Sequence, residues 1–383
     1  MNKPTVQDIF RCFYSAYLEK YSPSPEQAKV ARNILNCKTG AHGANVSVCE
    51  DCGAVQIHYN SCRNRCCPMC QAVPKEMWMD ARREDVLDAP YFHLVFTVPD
   101  ILNPIIYNNQ KLLYDILYHA ASATISELTA DPKHLGADVG YICILHTWGS
   151  EMNFHPHIHT ILLGGGLTSK NEWKDNGTAF FLPIWAISKV FRGKYMDELK
   201  NLWNTNQLEF HGTAEKYRNH YAFKELIDFC YDAEWIPYCK KTFNGAQSVI
   251  DYLGKYTHRI AISNHRIICM DDGNVTFSVK DYRNKGQWKE LTLSGVEFIR
   301  RFLMHVPPKR FVRIRHYGLL CSRSKHKKLT LCRNLLGCQK YLSKLRGKEM
   351  PEILKQLYEI NICVCKSCGG HLGKPQLRKP QRC

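Results

Sequence analysis

Three histidines stand at alternate positions in the stretch NFHPHIHTILLGGG, residues 153–166. Alternate side chains of a β-strand point to the same face, so the spacing predicts that His157 and His159 project side by side. Pro156 leaves only these two secure, since His155 lies on its other side. Two neutral imidazoles on one strand can donate lone pairs to the same ion, which makes half of a divalent-metal site. Structural histidines in a half-buried strand are the alternative that the spacing alone leaves open.

Two tyrosines at helical spacing form a second candidate group. Tyr252 and Tyr256 lie four residues apart in AQSVIDYLGKYTHRI, which places both on one face of a helix. A tyrosine hydroxyl can attack a phosphodiester while a divalent metal ion polarises the phosphate. Such pairs are more often found at the edge of a hydrophobic core. The prediction of a nucleophile therefore depends on the histidines and on the charge of the chain.

Cysteines are concentrated between residues 37 and 70. Cys49-x2-Cys52 and Cys67-x2-Cys70 have the spacing of zinc knuckles, and fourteen residues separate them, so these four thiolates are predicted to bind one structural Zn²⁺ ion. The remaining candidates of this segment predict a second zinc site: Cys37, His42, Cys62 and Cys66. Adjacent Cys66 and Cys67 could exchange roles. A further knuckle, CKSCGG, lies near the C-terminus with Cys363 just before it, and it could hold zinc with His371 and Cys383.

The composition indicates an ordinary folding chain with a polyanionic partner. Of its 383 residues 45% are hydrophobic and 23% are charged, enough for two or three domains. The net charge of +17 favours nucleic acid as the partner. No segment reaches the ~18 apolar residues of a membrane span, and the start lacks a secretory signal. We therefore expect a cytoplasmic protein, in which the nineteen cysteines are metal ligands or free thiols rather than disulfides.

The elements that must position these groups are β-like from Tyr91 onward. YFHLVFTV and YICILHTW are apolar runs of strand length, and HIHTILL follows the second as an antiparallel neighbour. A helical stretch, NQKLLYDILYHAASATISEL, separates the first two strands. These patterns predict an α+β fold, an antiparallel sheet with helices on its face and the histidines on a central strand. Two helices precede the cysteines, the second with Ser24 as its N-cap, and a hairpin around Asp272 and Gly273 follows the tyrosines.

Four stretches, in this order, resemble the insertion-sequence-91 family of two-tyrosine HUH transposases: NSCRNRCCPMCQ, LHTWGSEMNFHPHIHTILLGGG, YLGKYTHRIAISNHRI and IRHYGLLCSRSKHKKLTLCRNLLG. The resemblance covers nearly the whole chain. HUH denotes two histidines that flank a hydrophobic residue, here His157 and His159. The resemblance implies an HUH-type nuclease that nicks one DNA strand, holds the 5′ end as a phosphotyrosine and moves the element by rolling-circle-like transfer. Tyr252 and Tyr256 match the tyrosine pair of the family.

The chain departs from the family pattern at two positions. Cys66 stands where the family usually has a histidine, and Asn45 stands where it tends to have another. The second zinc site is therefore less firmly predicted than the first. The third ligand of the catalytic metal stays open among four candidates: His146 on the neighbouring strand, Gln247 five residues before Tyr252, His155 and Glu151.

The expected organisation is a helical pair with a zinc-binding domain in residues 1–80, a nuclease domain in 88–270 and a basic C-terminal region in 271–383. The expected cofactors are structural Zn²⁺ and catalytic Mg²⁺ or Mn²⁺, and the expected partners are single-stranded DNA at the element ends and target DNA, with no membrane. Basic residues interleaved with aromatics suit a single strand, and the predicted DNA contacts are Arg63, Arg65, Lys255, Arg259, Arg310, Arg313 and Arg315. The alternatives are a rolling-circle replication initiator or relaxase of the same chemistry, and a non-catalytic zinc-dependent DNA-binding regulator.

Overall fold

The computed structural model describes residues 3–176, 182–235, 237–243, 248–249, 252, 254, 260–281 and 286–380, with the backbone alone for residues 240–243. The α-helices of this part are α1 (Val6–Lys20), α2 (Pro25–Asn36), α3 (Ala72–Arg83), α4 (Asn103–Asn108), α5 (Gln110–Ala130), α6 (Ile184–Asn204), α7 (His220–Asp232), α8 (Gly295–Met304), α9 (Lys325–Leu336) and α10 (Met350–Tyr358). The strands are β1 (Ala44–Val48), β2 (Val55–Tyr59), β3 (Tyr91–Thr97), β4 (Asp138–Trp148), β5 (Phe154–Leu167), β6 (Trp173–Asp175), β7 (Tyr238–Phe243), β8 (Ile267–Asp271), β9 (Asn274–Asp281), β10 (Gln287–Ser294), β11 (Ile314–Gly318) and β12 (Gln376–Arg378).

The central sheet has the strand order β11-β4-β5-β3-β7, and β6 pairs with the end of β5. Every neighbouring pair in it is antiparallel. The predicted α+β class with an antiparallel sheet is therefore confirmed, and the strand that carries the histidine pair is the middle one. A middle strand is hydrogen-bonded on both sides, so its backbone is held rigidly enough to position ligands.

The two faces of the sheet bury different sets of side chains. Phe92, Leu94, Ile158 and Leu162 on one face pack against α5 and α6 in the largest hydrophobic core. On the opposite face, which His157 and His159 share, Ile144 and Ile161 pack with side chains of α3 and α9. Helices therefore pack on both faces of the sheet, and the histidines are buried on the second one.

The three glycines that end the stretch opened above allow close approach along β5. A Cβ atom on Gly166 would overlap the backbone oxygen of Asp138 on β4, and one on Gly165 would overlap the ring of Trp173 on β6. Gly164 likewise leaves room for Phe92. Only glycine permits these contacts, which let β5 pair with strands on both sides at its end.

The N-terminal helices share a core with the small sheet β8-β9-β10 and with α8 rather than forming a separate unit. Phe10 packs edge to face against Phe302 at a centroid distance of 5.5 Å, and Val6, Ile9 and Ile34 lie in the same cluster. Strand β11, from the predicted C-terminal region, pairs with β4 in the central sheet. The packing therefore crosses both predicted domain boundaries.

Local predictions of helix ends and turns are confirmed. Ser24 caps α2 with Pro25 in the first turn. Asp272 and Gly273 both have positive φ, +45° and +76°, as a two-residue hairpin turn requires. Within the described residues, every helix is too short or too polar to cross a lipid bilayer.

Candidate active site and metal centres

Three buried histidine rings converge on one face of the central sheet. His146 on β4 pairs directly with His157 on β5, and His159 lies two residues further along the same strand, so all three side chains share one face. One ring nitrogen from each lies within 4.8 Å of the others, and the Nε2 atoms of His157 and His159 are 3.1 Å apart. The strand register thus brings together the predicted pair and one of the candidates for a third ligand.

The hydrogen bonds and burial of these rings suit them to hold a cation. Nδ1 of His157 donates to the carbonyl oxygen of His155 at 2.7 Å, which leaves the Nε2 lone pair directed into the cluster. Burial, with the neighbouring His155, lowers the pKa of His157 to about 3, and burial lowers the pKa of His159 well below its ordinary value. The rings of His157 and His159 are therefore neutral at neutral pH, the state in which imidazole binds metals.

The other candidates for the third ligand lie elsewhere. His155 is outside the cluster, and its Nδ1 lies 3.1 Å from Oδ1 of Asp100. Glu151 forms an ion pair with Lys289 at 3.2 Å. Gln247 lies outside the described residues. His146 is accordingly the candidate that the strand register supports.

Tyr252 contacts the histidine cluster through its hydroxyl. The hydroxyl oxygen is 3.0 Å from Nδ1 of His159 and 2.5 Å from Nε2 of His93 on β3, and these two nitrogens are 2.9 Å apart. If Nε2 of His159 keeps its lone pair for a metal, its Nδ1–H donates to the tyrosine oxygen. The tyrosine O–H then donates to Nε2 of His93. Tyr256, the other predicted nucleophile, lies outside the described residues.

His93 is a site residue that the sequence reasoning missed. It stands in the apolar run YFHLVFTV, where a single histidine reads as part of a strand. Its neighbour Val95 pairs with His159, so His93 lies on the histidine face, diagonally across from that ligand candidate. Burial lowers the pKa of His93 to about 4, which keeps the ring neutral and able to accept a hydrogen bond. The signal in the sequence was a lone histidine in a strand predicted to lie in the same sheet as His157 and His159.

The segment that carries Tyr252 packs on helix α3. Ser248, Val249, Tyr252 and Gly254 have helical backbone, and Val249 and Tyr252 pack in the core beneath the histidine face. A Cβ atom on Gly254 would overlap the sulfur of Met79 on α3, so the two elements approach closely there. Helix α3 therefore lies behind the tyrosine and supports its position.

Eight of the described cysteines form two clusters of four, and neither is the predicted zinc ribbon. Cys67 and Cys70 join Cys37 and Cys62, with 3.8 Å between the Sγ atoms of Cys62 and Cys70. The predicted pairing of Cys49 and Cys52 with Cys67 and Cys70 is wrong. Cys49 and Cys52 lie at the tip of the β1–β2 hairpin, whereas Cys67 and Cys70 lie with Cys62 beyond its base. Five residues of strand separate tip and base, about 16 Å.

Two members of the predicted second zinc site do not join a cluster. Cys66 is buried in the core shared by the N-terminal helices, and its amide donates to Oδ1 of Asn64 at 2.8 Å. In the tight turn at Cys67 adjacent side chains diverge, so only one of the two faces the other thiols. His42 lies on a short turn, Gly40–His42, outside both clusters. Cys37 and Cys62 are the members that the structure retains.

Three of the predicted DNA contacts have partners within the protein. Arg313 is only 9% exposed and lies over the ring of Trp148, which in turn stacks on His146 at 4.5 Å between centroids. Arg315 pairs with Asp115. Arg65 donates to the carbonyl oxygen of Phe311 at 2.6 Å. Arg313 is therefore buried, with its guanidinium against the tryptophan that stacks on His146, and its contact with phosphate stays a prediction.

Exposed residues among the predicted DNA contacts are Arg63, Arg65 and Arg310, all on the surface of the described chain. Lys255 and Arg259 lie outside the described residues. For these five residues DNA contact stays a prediction.

Comparison with known proteins defines the class of this chain. Residues 9–98 match the family described as "Transposase zinc-binding domain", and residues 140–328 match the family described as "Putative transposase". The two matches together contain the histidine cluster, Tyr252 and the first cysteine cluster. The protein is a transposase with an N-terminal zinc-binding domain.

Individual relatives identify the family. The chain is 41% identical to a "Putative transposase y4qJ" of Sinorhizobium fredii over 87% of this chain and 84% of the relative. It is 30% identical to the transposase for insertion sequence element IS801 of Pseudomonas savastanoi pv. phaseolicola, over 78% and 71% of the two chains. The chain belongs to the insertion-sequence-91 family of transposases. A solved structure of the conjugative relaxase TrwC with oriT DNA aligns with a TM-score of 0.26 at 13% identity, covering 67% of this chain and 96% of that one.

Proposed function

We propose that this transposase cuts single-stranded DNA by attack of Tyr252 on a phosphodiester placed at the histidine cluster. The observation that supports the proposal is the tyrosine hydroxyl 3.0 Å from a ring nitrogen of His159, whose other nitrogen faces His146 and His157. A DNA-binding regulator has no use for a nucleophile beside convergent neutral imidazoles. Replication initiators of the same chemistry differ in the DNA they recognise, and the relatives of this chain are named as transposases.

His146, His157 and His159 would hold the catalytic divalent ion. Mg²⁺ and Mn²⁺ both favour oxygen ligands, so the three imidazoles do not by themselves choose between the two expected ions. Such an ion, when bound, would polarise the scissile phosphate and offset its developing charge.

The groups of this chain carry the rest of the step. As the Tyr252 oxygen forms its bond to phosphorus, the bond from phosphorus to the 3′ oxygen breaks. The leaving 3′ oxygen takes a proton from water, so the products are a 5′ phosphotyrosine and a free 3′ hydroxyl. The phenol proton passes to Nε2 of His93 at 2.5 Å. Tyr256, one helical turn further on in the sequence, is the proposed second nucleophile that allows strand exchange without free 5′ ends.

The test uses purified full-length protein and labelled single strands from the ends of its element. With Mn²⁺ or Mg²⁺ we expect a denaturant-resistant protein–DNA adduct and a released strand with a 3′ hydroxyl, and with a chelator neither should form. Binding of the same strands without any cleavage under all metal conditions would contradict the nuclease proposal and favour the regulator.

Replacing His93 by alanine should slow adduct formation by about 10²-fold, because the phenol, with a reference pKa of about 10, loses the group that takes its proton. Single-strand affinity should stay unchanged. His93→Gln, which can accept a hydrogen bond but cannot take the proton, should slow the reaction equally. A His93→Gln variant with the wild-type rate would show that His93 only positions the tyrosine. Rapid-quench measurement of adduct formation gives these rates.

We also propose that Cys37, Cys62, Cys67 and Cys70 bind structural Zn²⁺. Cys37 is the C-cap of α2, and Gln7 of α1 donates to its carbonyl oxygen at 2.8 Å, so the ion would tie both N-terminal helices to the loop that precedes α3. An ion in a tetrahedral tetrathiolate site holds sulfur atoms about 3.8 Å apart, as Zn–S bonds of about 2.3 Å require. The observed 3.8 Å between Cys62 and Cys70 agrees with that separation.

The neighbouring cysteines provide a matched pair of variants. Cys67→Ser should lose one zinc ion per chain and destabilise the region of residues 37–75, because the small segment depends on its metal to fold. Cys66→Ser removes the adjacent thiol, which packs in the core, and should retain that ion. Zinc content by mass spectrometry and a thermal melt distinguish the two. Equal zinc loss in both variants would contradict this ligand set.

A further inference from the structure

Two knuckles from distant parts of the chain face each other and share the pattern Cys-x2-Cys-Gly. One is Cys49-Glu50-Asp51-Cys52-Gly53, and the other is Cys365-Lys366-Ser367-Cys368-Gly369. The glycine that follows each second cysteine has positive φ, +71° and +76°, the conformation that favours glycine. In each turn this glycine amide donates to the carbonyl oxygen of the first cysteine, at 3.1 and 2.9 Å. The two loops thus have the same backbone geometry, although Cys365 lies 313 positions after Cys52 in the chain.

The four thiols of these knuckles form a compact group. The Sγ atoms of Cys49 and Cys368 are 3.5 Å apart, those of Cys52 and Cys365 are 3.8 Å apart, and all four lie within 4.8 Å of one another. These separations bracket the value of about 3.8 Å expected for thiolates that share a tetrahedral zinc ion. They are well beyond the sulfur–sulfur bond length of about 2.05 Å in a disulfide.

Backbone amides point at the sulfur atoms of the C-terminal knuckle. The Ser367 amide donates to Sγ of Cys365 and the Gly370 amide donates to Sγ of Cys368, each at 3.4 Å. Amide donors favour the thiolate over the thiol, and thiolate is the form that binds metal. The knuckle is therefore built to present charged ligands.

Strand pairing holds the C-terminal knuckle in place against the first. Strand β12 pairs with β1 through Ala44 and Arg378, and an isolated bridge joins Cys49 to Leu372. The Glu50 amide donates to the carbonyl oxygen of His371 at 3.0 Å. His371 itself turns its Nδ1 towards Glu50 and lies outside the thiol cluster, so the expectation that it ligates zinc with the tail knuckle is wrong. Cys383 lies outside the described residues.

We propose that Cys49, Cys52, Cys365 and Cys368 bind a second zinc ion, which fastens the C-terminal segment onto the N-terminal zinc-binding domain. This site is separate from the Cys37 cluster, and its two C-terminal ligands lie beyond both matched family regions, which end at residues 98 and 328. It closes the chain into a loop whose two ends share one metal.

This second zinc site, the zinc clasp of Cys49, Cys52, Cys365 and Cys368, fixes the position of the segment that leads to it. Between α9 and the knuckle, Tyr341 donates to Asp80 at 2.6 Å, the Leu345 amide donates to the same carboxylate at 3.0 Å, and Arg346 pairs with Glu84 at 2.7 Å. Asp80 lies on α3 next to Met79, which contacts the Tyr252 segment at Gly254. The clasp therefore holds the segment between α9 and the C-terminal knuckle against α3, the helix that packs on the Tyr252 segment. The importance of this contact for cleavage rests on the proposed function.

Zinc counting in the full-length protein tests the site without reference to DNA cleavage. Wild-type protein should contain two zinc ions per chain, and the double variant Cys365→Ser/Cys368→Ser should contain one. Cys363→Ser is the matched control, because this thiol lies two residues before the knuckle and outside the cluster, and it should retain two. Replacing Cys49 and Cys52 by serine should remove the same ion. Limited proteolysis should then cleave the tail at least several-fold faster in both double variants than in the control.

Each other outcome contradicts the clasp. If the Cys365→Ser/Cys368→Ser variant contains two zinc ions, the second cluster does not bind zinc. The same follows if wild-type protein contains one zinc ion and the Cys67→Ser variant loses it. Zinc loss on replacing the C-terminal pair but not on replacing Cys49 and Cys52 would show that the tail binds metal without the N-terminal knuckle. Zinc counting needs no DNA. A protein that contains two zinc ions per chain but fails to cut DNA would therefore contradict only the nuclease proposal.

Discussion

Replacing His159 by alanine should abolish strand cleavage while leaving single-strand affinity nearly intact. The proposed ion loses one of three ligands, and Tyr252 loses the donor 3.0 Å from its oxygen. Metal polarisation of a phosphate is worth several kcal/mol, and each 1.4 kcal/mol is tenfold in rate, so the loss should be at least about 10³-fold. Binding depends on many phosphate contacts from lysine and arginine and should persist. Cleavage of a labelled strand and its binding by anisotropy are measured on the same preparation.

His155→Ala is the control for this experiment. The residue lies on the same strand, but its ring faces Asp100 outside the cluster, and the carbonyl oxygen that accepts from His157 belongs to the backbone and survives the substitution. This variant should cleave at close to the wild-type rate. His157→Ala and His146→Ala should behave like His159→Ala. Equal loss of binding and cleavage in the three would indicate a structural role for the histidines.

The sheet and the histidine pair could be predicted because their signals are local. Period-two spacing placed His157 and His159 on one face, and apolar runs of strand length gave their neighbours. The choice of His146 needed the register of β4 against β5, in which His146 pairs with His157. Register depends on the two turns and on packing across the sheet, so a list of chemically able residues could not be narrowed from sequence.

Partners distant in the chain explain the errors among the cysteines. Each predicted knuckle does lie within a compact group of four thiols, but the choice of which knuckles come together is a tertiary property. Cys49 and Cys52 face the C-terminal pair because β12 joins β1, and a three-residue strand leaves little trace in sequence. Proximity in sequence favoured pairing with Cys67 and Cys70, but the β1–β2 hairpin places Cys49 and Cys52 at its tip, away from those two cysteines.

Burial explains the remaining differences. Arg313 stands in a basic and aromatic stretch, which is typical of nucleic-acid contact, yet it lies beneath the surface over Trp148. His93 was overlooked for the converse reason, because an apolar strand gives no sign that one face opens onto a polar cluster. Charge and hydropathy patterns report averages along an element, and both residues depart from the average of theirs.

Replacing Tyr252 by phenylalanine should remove the covalent adduct at this residue while preserving the fold, the zinc content and single-strand binding. The change deletes one oxygen, the atom that lies 2.5 Å from His93 and 3.0 Å from His159. Phenylalanine keeps the packing of the ring against the core beneath the sheet. Because no other group supplies the nucleophile, the double variant Tyr252→Phe/Tyr256→Phe should form no adduct at all, whereas each single variant should still trap DNA on the remaining tyrosine.

Tyr238→Phe is the matched control for that loss. Its ring lies 5.8 Å from that of His93, on the edge strand β7, and is 52% exposed, so the substitution removes a neighbouring phenol oxygen and leaves that of Tyr252 in place. It should form the adduct at the wild-type rate. Peptide mapping of the trapped complex by mass spectrometry identifies the modified residue in each variant. DNA attached to any residue other than Tyr252 or Tyr256, or an adduct that persists in the double variant, would overturn the tyrosine mechanism, since the convergence of hydroxyl and imidazoles would then have no catalytic consequence.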